Sequence, residues 1–143
     1  MASPRRGPRL FVDTGAFYAR YVAGDQYHQE AHTLWEKVRQ EKLACLTSNF
    51  VLAELVTLIA YCFGSSQALT TAREIYDSGA IEIYRPTLEN EMRGLDFIAR
   101  FSDQRISMTD AVSFAVMEKQ DLTTAFTFDH HFEIAGFKRL RLS

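Results

Sequence analysis

The chain has 143 residues, a hydrophobic share of 47% and a formal net charge of −2. That is enough for one domain with a substantial core, and it excludes both a disordered polyelectrolyte and a global electrostatic pull toward nucleic acid. Two cysteines without metal-ligand spacing, no apolar leader and no stretch of transmembrane length imply a soluble, cytoplasmic protein with no membrane partner, with Cys45 and Cys62 as reduced core thiols.

Residues 1–8 read as a basic N-terminal arm ahead of a single domain. "RLFVD" (9–13) is an apolar strand ending in an acid, and "TGAFYARYV" a short helix. "QYHQEAHTLWEKVRQ" (26–40) places Ala31, Leu34, Trp35 and Val38 at helical spacing. "LACLT" (43–47) is a second buried strand. Ser48 caps a long apolar helix that ends before Gly64, and a further helix follows with Ser66 as cap and Gly79 as stop. "IEIYRP" (81–86) is a strand stopped by proline. Thr87 opens the helix "LENEMRGLDFIARF". After the loop "SDQRIS" come the helix "MTDAVSFAVMEKQ", a strand at 123–128, a short turn of helix in "HHFEIAG", and an edge strand in "KRLRL". Strands alternating with helices predict an α/β fold, a mostly parallel central sheet between two helical layers.

Parallel sheets of this kind bind ligands at the carboxyl ends of their strands. Asp13 and Asp129 each follow a strand directly. Glu54 interrupts the apolar helix after Ser48, and Asp110 sits in the first turn after Ser107. Helices that follow strands begin on that same side, so all four acids can converge on one rim. Singly, Asp110 reads first as a complement to a helix dipole and Asp129 as a turn former, whereas the apolar flanks of Glu54 argue against a merely solvated helix residue. Together, four carboxylates on one rim repel one another unless a hard divalent cation such as Mg²⁺ takes their oxygens.

"FVDTGAF", "LTSNFVLAEL", "SDQRISMTDAVSFAVM" and "TFDHHFEIAGF", in that order from about Leu10 to Leu142, resemble the PIN-domain proteins of VapC-like type. The resemblance implies a three-layer α/β/α fold and a Mg²⁺- or Mn²⁺-dependent endoribonuclease acting on RNA, of the kind that serves as the toxin of a toxin–antitoxin pair. It implies Asp13, Glu54, Asp110 and Asp129 as catalytic and metal-binding residues. Thr14 and Thr127 match polar positions beside the site, and Asp103 matches an acid ahead of the third motif. Asp13 and Asp110 are expected as the principal metal ligands, Glu54 as a ligand or water-orienting group, and Asp129 as a ligand to a second, weaker ion. A partner antitoxin and a homodimer are expected on the same ground, the dimer also from the apolar helices at 49–63, 66–78 and 87–101.

Other readings of the residues are weaker. His130 and His131 are chain neighbours without a third histidine nearby, which favours surface or packing roles over a transition-metal site. The "DTG" of aspartic proteases belongs to a β-rich fold with a matching second motif. Arg5, Arg6 and Arg9, with Lys138, Arg139 and Arg141, make basic ends that read as solvated termini. The rival reading from a different class is a non-catalytic binding or assembly module of the same fold.

Overall fold

The computed structural model describes residues 8–142. Strand β1 (Arg9–Val12) leads into helix α1 (Thr14–Tyr21) and then α2 (His28–Gln40). Next come β2 (Ala44–Ser48), α3 (Asn49–Phe63), α4 (Ser65–Asp77) and β3 (Ile81–Tyr84). The chain continues through α5 (Leu88–Arg100), α6 (Met108–Lys119), β4 (Thr124–Phe126), α7 (His131–Ile134) and β5 (Lys138–Arg139). All four strand pairings are parallel, in the order β3-β2-β1-β4-β5. The chain winds outward from β1 to β3, then returns to lay β4 on the other side of β1. The strand order therefore reverses between β1 and β4, and a crevice opens at their carboxyl ends.

Burial explains the three layers. Leu10, Phe11 and Val12 are buried whichever way they point along the pleat, so the sheet is covered on both faces. Phe114 in α6 stands at the centre of an aromatic cluster, with ring centroids 5.7 Å from Phe97, 4.9 Å from Phe132 and 5.8 Å from Phe137. Helix α6 is buried continuously from Ala111 to Met117, so it carries no clear apolar stripe. It crosses α5 closely at Gly94, where a Cβ would meet the Val112 backbone nitrogen at 3.3 Å.

The differences from the sequence reading are local. Ser66 does not cap α4: the helix starts one residue earlier, behind Gly64, whose φ of 95° suits glycine and turns the chain sharply out of α3. Cys62 is exposed, not a core thiol, because it lies in the last, solvent-facing turn of α3. Cys45 is buried, and burial raises its thiol pKa to about 11. Strand β4 stops at Phe126, which leaves Thr127, Phe128 and Asp129 free to turn into the crevice. The closing strand is only two residues long, and Arg139 and Arg141 both approach Glu133, at 3.5 Å and 3.0 Å. Arg5 and Arg6, with most of the basic arm, lie outside the described residues. No helix among the described residues is long and apolar enough to cross a membrane.

Candidate active site

Asp13 is the first residue beyond β1, and its backbone nitrogen still donates to the Phe126 carbonyl of β4 at 3.0 Å. It is the N-cap of α1, yet its side chain makes no capping bond. The carboxylate is instead 5% exposed and turned into the crevice. Oδ2 accepts a hydrogen bond from the Thr127 hydroxyl at 2.9 Å, while Oδ1 is buried with no partner. A buried carboxylate oxygen without a donor is costly, and it fits a place where a cation is taken up. The Thr127 hydroxyl also accepts from the Asp129 backbone N–H at 3.0 Å. One threonine therefore ties the acid after β1 to the acid after β4.

The other acids arrive on helix starts. Ser107 and Asp110 form a capping box: Ser107 Oγ accepts from the Asp110 N–H at 3.0 Å, and the Ser107 N–H donates to Asp110 Oδ2 at 3.4 Å. Asp110 thus holds its own helix end while facing the crevice, so capping and site placement coincide. Ser48 caps α3 by accepting from the Val51 N–H at 3.3 Å. That sets the helix so that Glu54, one turn further on and exposed, reaches the same cleft. Asp13, Glu54, Asp110 and Asp129 all line this cleft of about 450 Å³, together with Thr14, Ser107, Tyr18, Tyr27 and Phe128.

The electrostatics follow from this crowding. Burial raises the Asp13 pKa from its ordinary 3.8 to about 7; the charges of Asp110 and Asp129 add to the effect, and hydrogen bonding from the Thr127 hydroxyl and the Thr14 backbone opposes it. Asp110 is raised to about 6, first by burial and then by Asp129 and Glu54, against the Ser107 hydrogen bonds. Without a cation the site is a cluster of carboxylates that resist ionising together. Its all-oxygen donor set is the chemistry of a hard divalent ion such as Mg²⁺ or Mn²⁺.

Residues 10–138 match the PIN domain family. The curated relatives include the "23S rRNA-specific endonuclease VapC20" of Mycobacterium tuberculosis, 34% identical over 132 residues, covering 92% of this chain and 98% of the relative. This chain belongs to the PIN domain family. Also similar is "Ribonuclease VapC26" of the same species, 27% identical over 124 residues, covering 86% of this chain and 89% of that one. Among solved structures, that of M. tuberculosis VapC20, described as a "Sarcin-Ricin loop cleaving toxin", superposes with a TM-score of 0.84 at 33% identity, over 92% of this chain and 98% of that one. VapBC2 of Rickettsia felis, bound to a DNA fragment from their promoter, has a TM-score of 0.70 at 13% identity, covering 92% and 97%, and shares the fold.

This PIN domain differs from the sequence reading at the margins of its site. Thr14 lies in the cleft, buried, with its hydroxyl unpaired. Asp103 does not line the cleft: it is exposed on the turn after α5 and accepts from the Gln104 side chain at 3.3 Å. A fifth carboxylate, Asp25, does line it and was missed. In sequence, "AGDQY" signals only a turn, and Asp25 indeed makes one by accepting the Tyr27 N–H at 2.9 Å. Asp129, His130 and His131 bring ligand atoms within 4.8 Å of one another. His131 Nδ1 lies 2.9 Å from Asp129 Oδ1, which also accepts the His131 backbone N–H. The two rings lie tilted at 33° with centroids 4.3 Å apart.

Proposed function

We propose that this PIN-domain chain is a metal-dependent endoribonuclease that hydrolyses RNA phosphodiester bonds as the toxin of a toxin–antitoxin pair. The observation that carries this reading is the unpartnered, buried Oδ1 of Asp13 in a cleft with Glu54, Asp110 and Asp129 at the reversal point of the sheet. Asp13 and Asp110 are the principal ligands to Mg²⁺ or Mn²⁺. Exposed Glu54 binds metal or orients the attacking water, and Asp129 helps hold a second, weaker ion. Thr127 positions Asp13 and Asp129 through its hydroxyl. When bound, a divalent cation acidifies water and offsets the charge of the scissile phosphate.

The PIN family membership and the names of the relatives support RNA as substrate, with ribosomal RNA the first to test. A toxin needs a neutralising protein, and the apolar groove of Phe50, Ala53, Leu58 and Tyr61 beside Glu54 offers an antitoxin a surface next to the acids. The four acids, all present and all in one cleft, weigh against the rival reading of a non-catalytic module.

The chain is also proposed to be a homodimer. Leu88, Met92 and Leu95 form one exposed stripe on α5, at 69%, 50% and 46% exposure, and Leu69 and Tyr76 form another on α4. Light scattering at micromolar concentration should give twice the chain mass; a monomer there contradicts the dimer. The activity is tested by Mn²⁺ binding, read by electron paramagnetic resonance, together with RNA cleavage. Wild type should bind Mn²⁺ and cleave, and Asp110→Asn should lose both. Cleavage that persists in Asp110→Asn or in EDTA refutes the assignment.

A further inference from the structure

The acidic cleft has a second wall of a different kind. Among the described residues its lining holds the carboxylates of Asp13, Asp25, Glu54, Asp110 and Asp129 but no lysine or arginine. Beyond what a cation supplies at one phosphate, a polyanion gains nothing electrostatic from these side chains. Within the cleft, grip on the rest of a nucleotide falls to uncharged contacts, and the lining offers three aromatic rings, Tyr18, Tyr27 and Phe128.

Two of these rings form a built unit. Tyr27 and Phe128 stack with centroids 4.5 Å apart and planes 6° from parallel. Phe128 meets Phe126 edge-on at 6.2 Å, and Phe126 meets Trp35 at 4.8 Å, so the pair is anchored to the core. Tyr27 is held from its backbone as well: its N–H donates to Asp25 Oδ2 at 2.9 Å, and its carbonyl accepts from the Ala31 N–H at 2.8 Å. Yet Tyr27 is 38% exposed. A flat ring that is fixed before binding loses little freedom when a base stacks on it. Phe128 also lies in the chain between Thr127, which holds Asp13, and Asp129, so the rings and the acids keep a fixed register.

We propose that Tyr27, backed by Phe128, is a stacking platform for an unpaired nucleobase next to the phosphate held at the acids. This inference rests on the ribonuclease reading and deepens it: the site selects RNA in which a base beside the scissile bond is free to unstack. Stacking tolerates any base, so the platform senses unpaired structure rather than base identity. The plain alternative is that the pair merely pins the loop between α1 and α2.

The test has two arms. In the first, cleavage of a mixed-sequence single-stranded RNA is compared for wild type, Asp13→Asn, Tyr27→Ala and Tyr27→Phe, with thermal melts to confirm folding. Tyr27→Ala should lower kcat/KM about 5- to 150-fold, the range for one base–aromatic stack, and Tyr27→Phe should recover most of that loss. In the second, 2-aminopurine ribonucleoside 5′-monophosphate, which has no phosphodiester to hydrolyse, is titrated with each protein in Mg²⁺. Its fluorescence should be quenched by wild type and by Tyr27→Phe, and not by Tyr27→Ala. Wild-type cleavage and quenching in folded Tyr27→Ala overturn the platform and leave the ribonuclease reading standing. Ring-dependent quenching without Asp13-dependent cleavage does the reverse.

Discussion

Replacing Asp13 by asparagine should stabilise the metal-free protein at neutral pH. The Asp13 carboxyl has its pKa raised from 3.8 to about 7, chiefly by burial and then by Asp110. Between those two values the folded chain holds the proton and the unfolded chain does not, so stability falls as pH rises and levels off above the folded value. Linkage puts the cost of ionised Asp13 at about 4 kcal/mol at pH 7.5 and about 2 kcal/mol at pH 5. Asparagine removes this cost. It keeps an oxygen to accept the Thr127 hydroxyl, but it sets an amide in the buried place of Oδ1, where an unpaired group costs about 1–3 kcal/mol. The net gain at pH 7.5 is about 1–3 kcal/mol, and at pH 5 it falls within about 1 kcal/mol of zero on either side. For a chain of this size that corresponds to a melting temperature about 3–9 °C higher at pH 7.5. Thermal melts in EDTA at both pH values read it directly. Mg²⁺ or Mn²⁺, binding only the folded state, should raise the wild-type midpoint and move the Asn variant much less. A metal-free Asp13→Asn that melts below wild type at pH 7.5, with no metal response in wild type, would show that Asp13 is a structural acid and refute this reasoning.

Thr127→Val should raise the Asp13 pKa above its wild-type value, because the lost hydroxyl is the larger of the two donors that oppose burial, the other being the Thr14 backbone N–H. Carbon-13 NMR titration of the metal-free carboxyl reads the shift, and an unchanged value would mean that the hydroxyl does not hold Asp13 in solution. Phe114→Ala should destabilise by about 3–5 kcal/mol, since the ring is fully buried among Phe97, Phe132 and Phe137. Urea denaturation tests this, and a loss under 1 kcal/mol contradicts the placement of the core.

The sequence pattern carried the sheet well because apolar runs bounded by acids and turn residues leave little choice. "RLFV" and "ACLTS" are strands that pair in parallel, α3 begins at the serine expected to cap it, and α6 places Asp110 in its first turn after Ser107. The convergence of Asp13, Glu54, Asp110 and Asp129 on one cleft followed from topology, since each stands at a strand end or near the start of a helix. Features set by packing were not legible. The start of α4 depends on Gly64 adopting positive φ, a conformation the flanking Ser65 and Ser66 do not announce. Asp25 lines the cleft from the turn between α1 and α2, which is held near α1 by His28 Nδ1 at 2.7 Å from the Ala19 carbonyl, and Asp103 falls outside it on the exposed turn after α5. The Tyr27–Phe128 stack joins residues about a hundred positions apart, with no local signal in either segment.

The most direct test of the central claim is RNA cleavage by the purified full chain in Mg²⁺, in Mn²⁺ and in EDTA, with Asp13→Asn prepared in parallel. Ribosomal RNA and a mixed-sequence single strand serve as substrates, and products are mapped by primer extension. Cleavage at defined positions should require the added metal, stop in EDTA, and fall at least about 100-fold in Asp13→Asn, the scale of losing a principal metal-holding group at a reacting centre. Equal cleavage by wild type and Asp13→Asn, or wild-type cleavage that survives EDTA, would contradict a nuclease centred on these four acids.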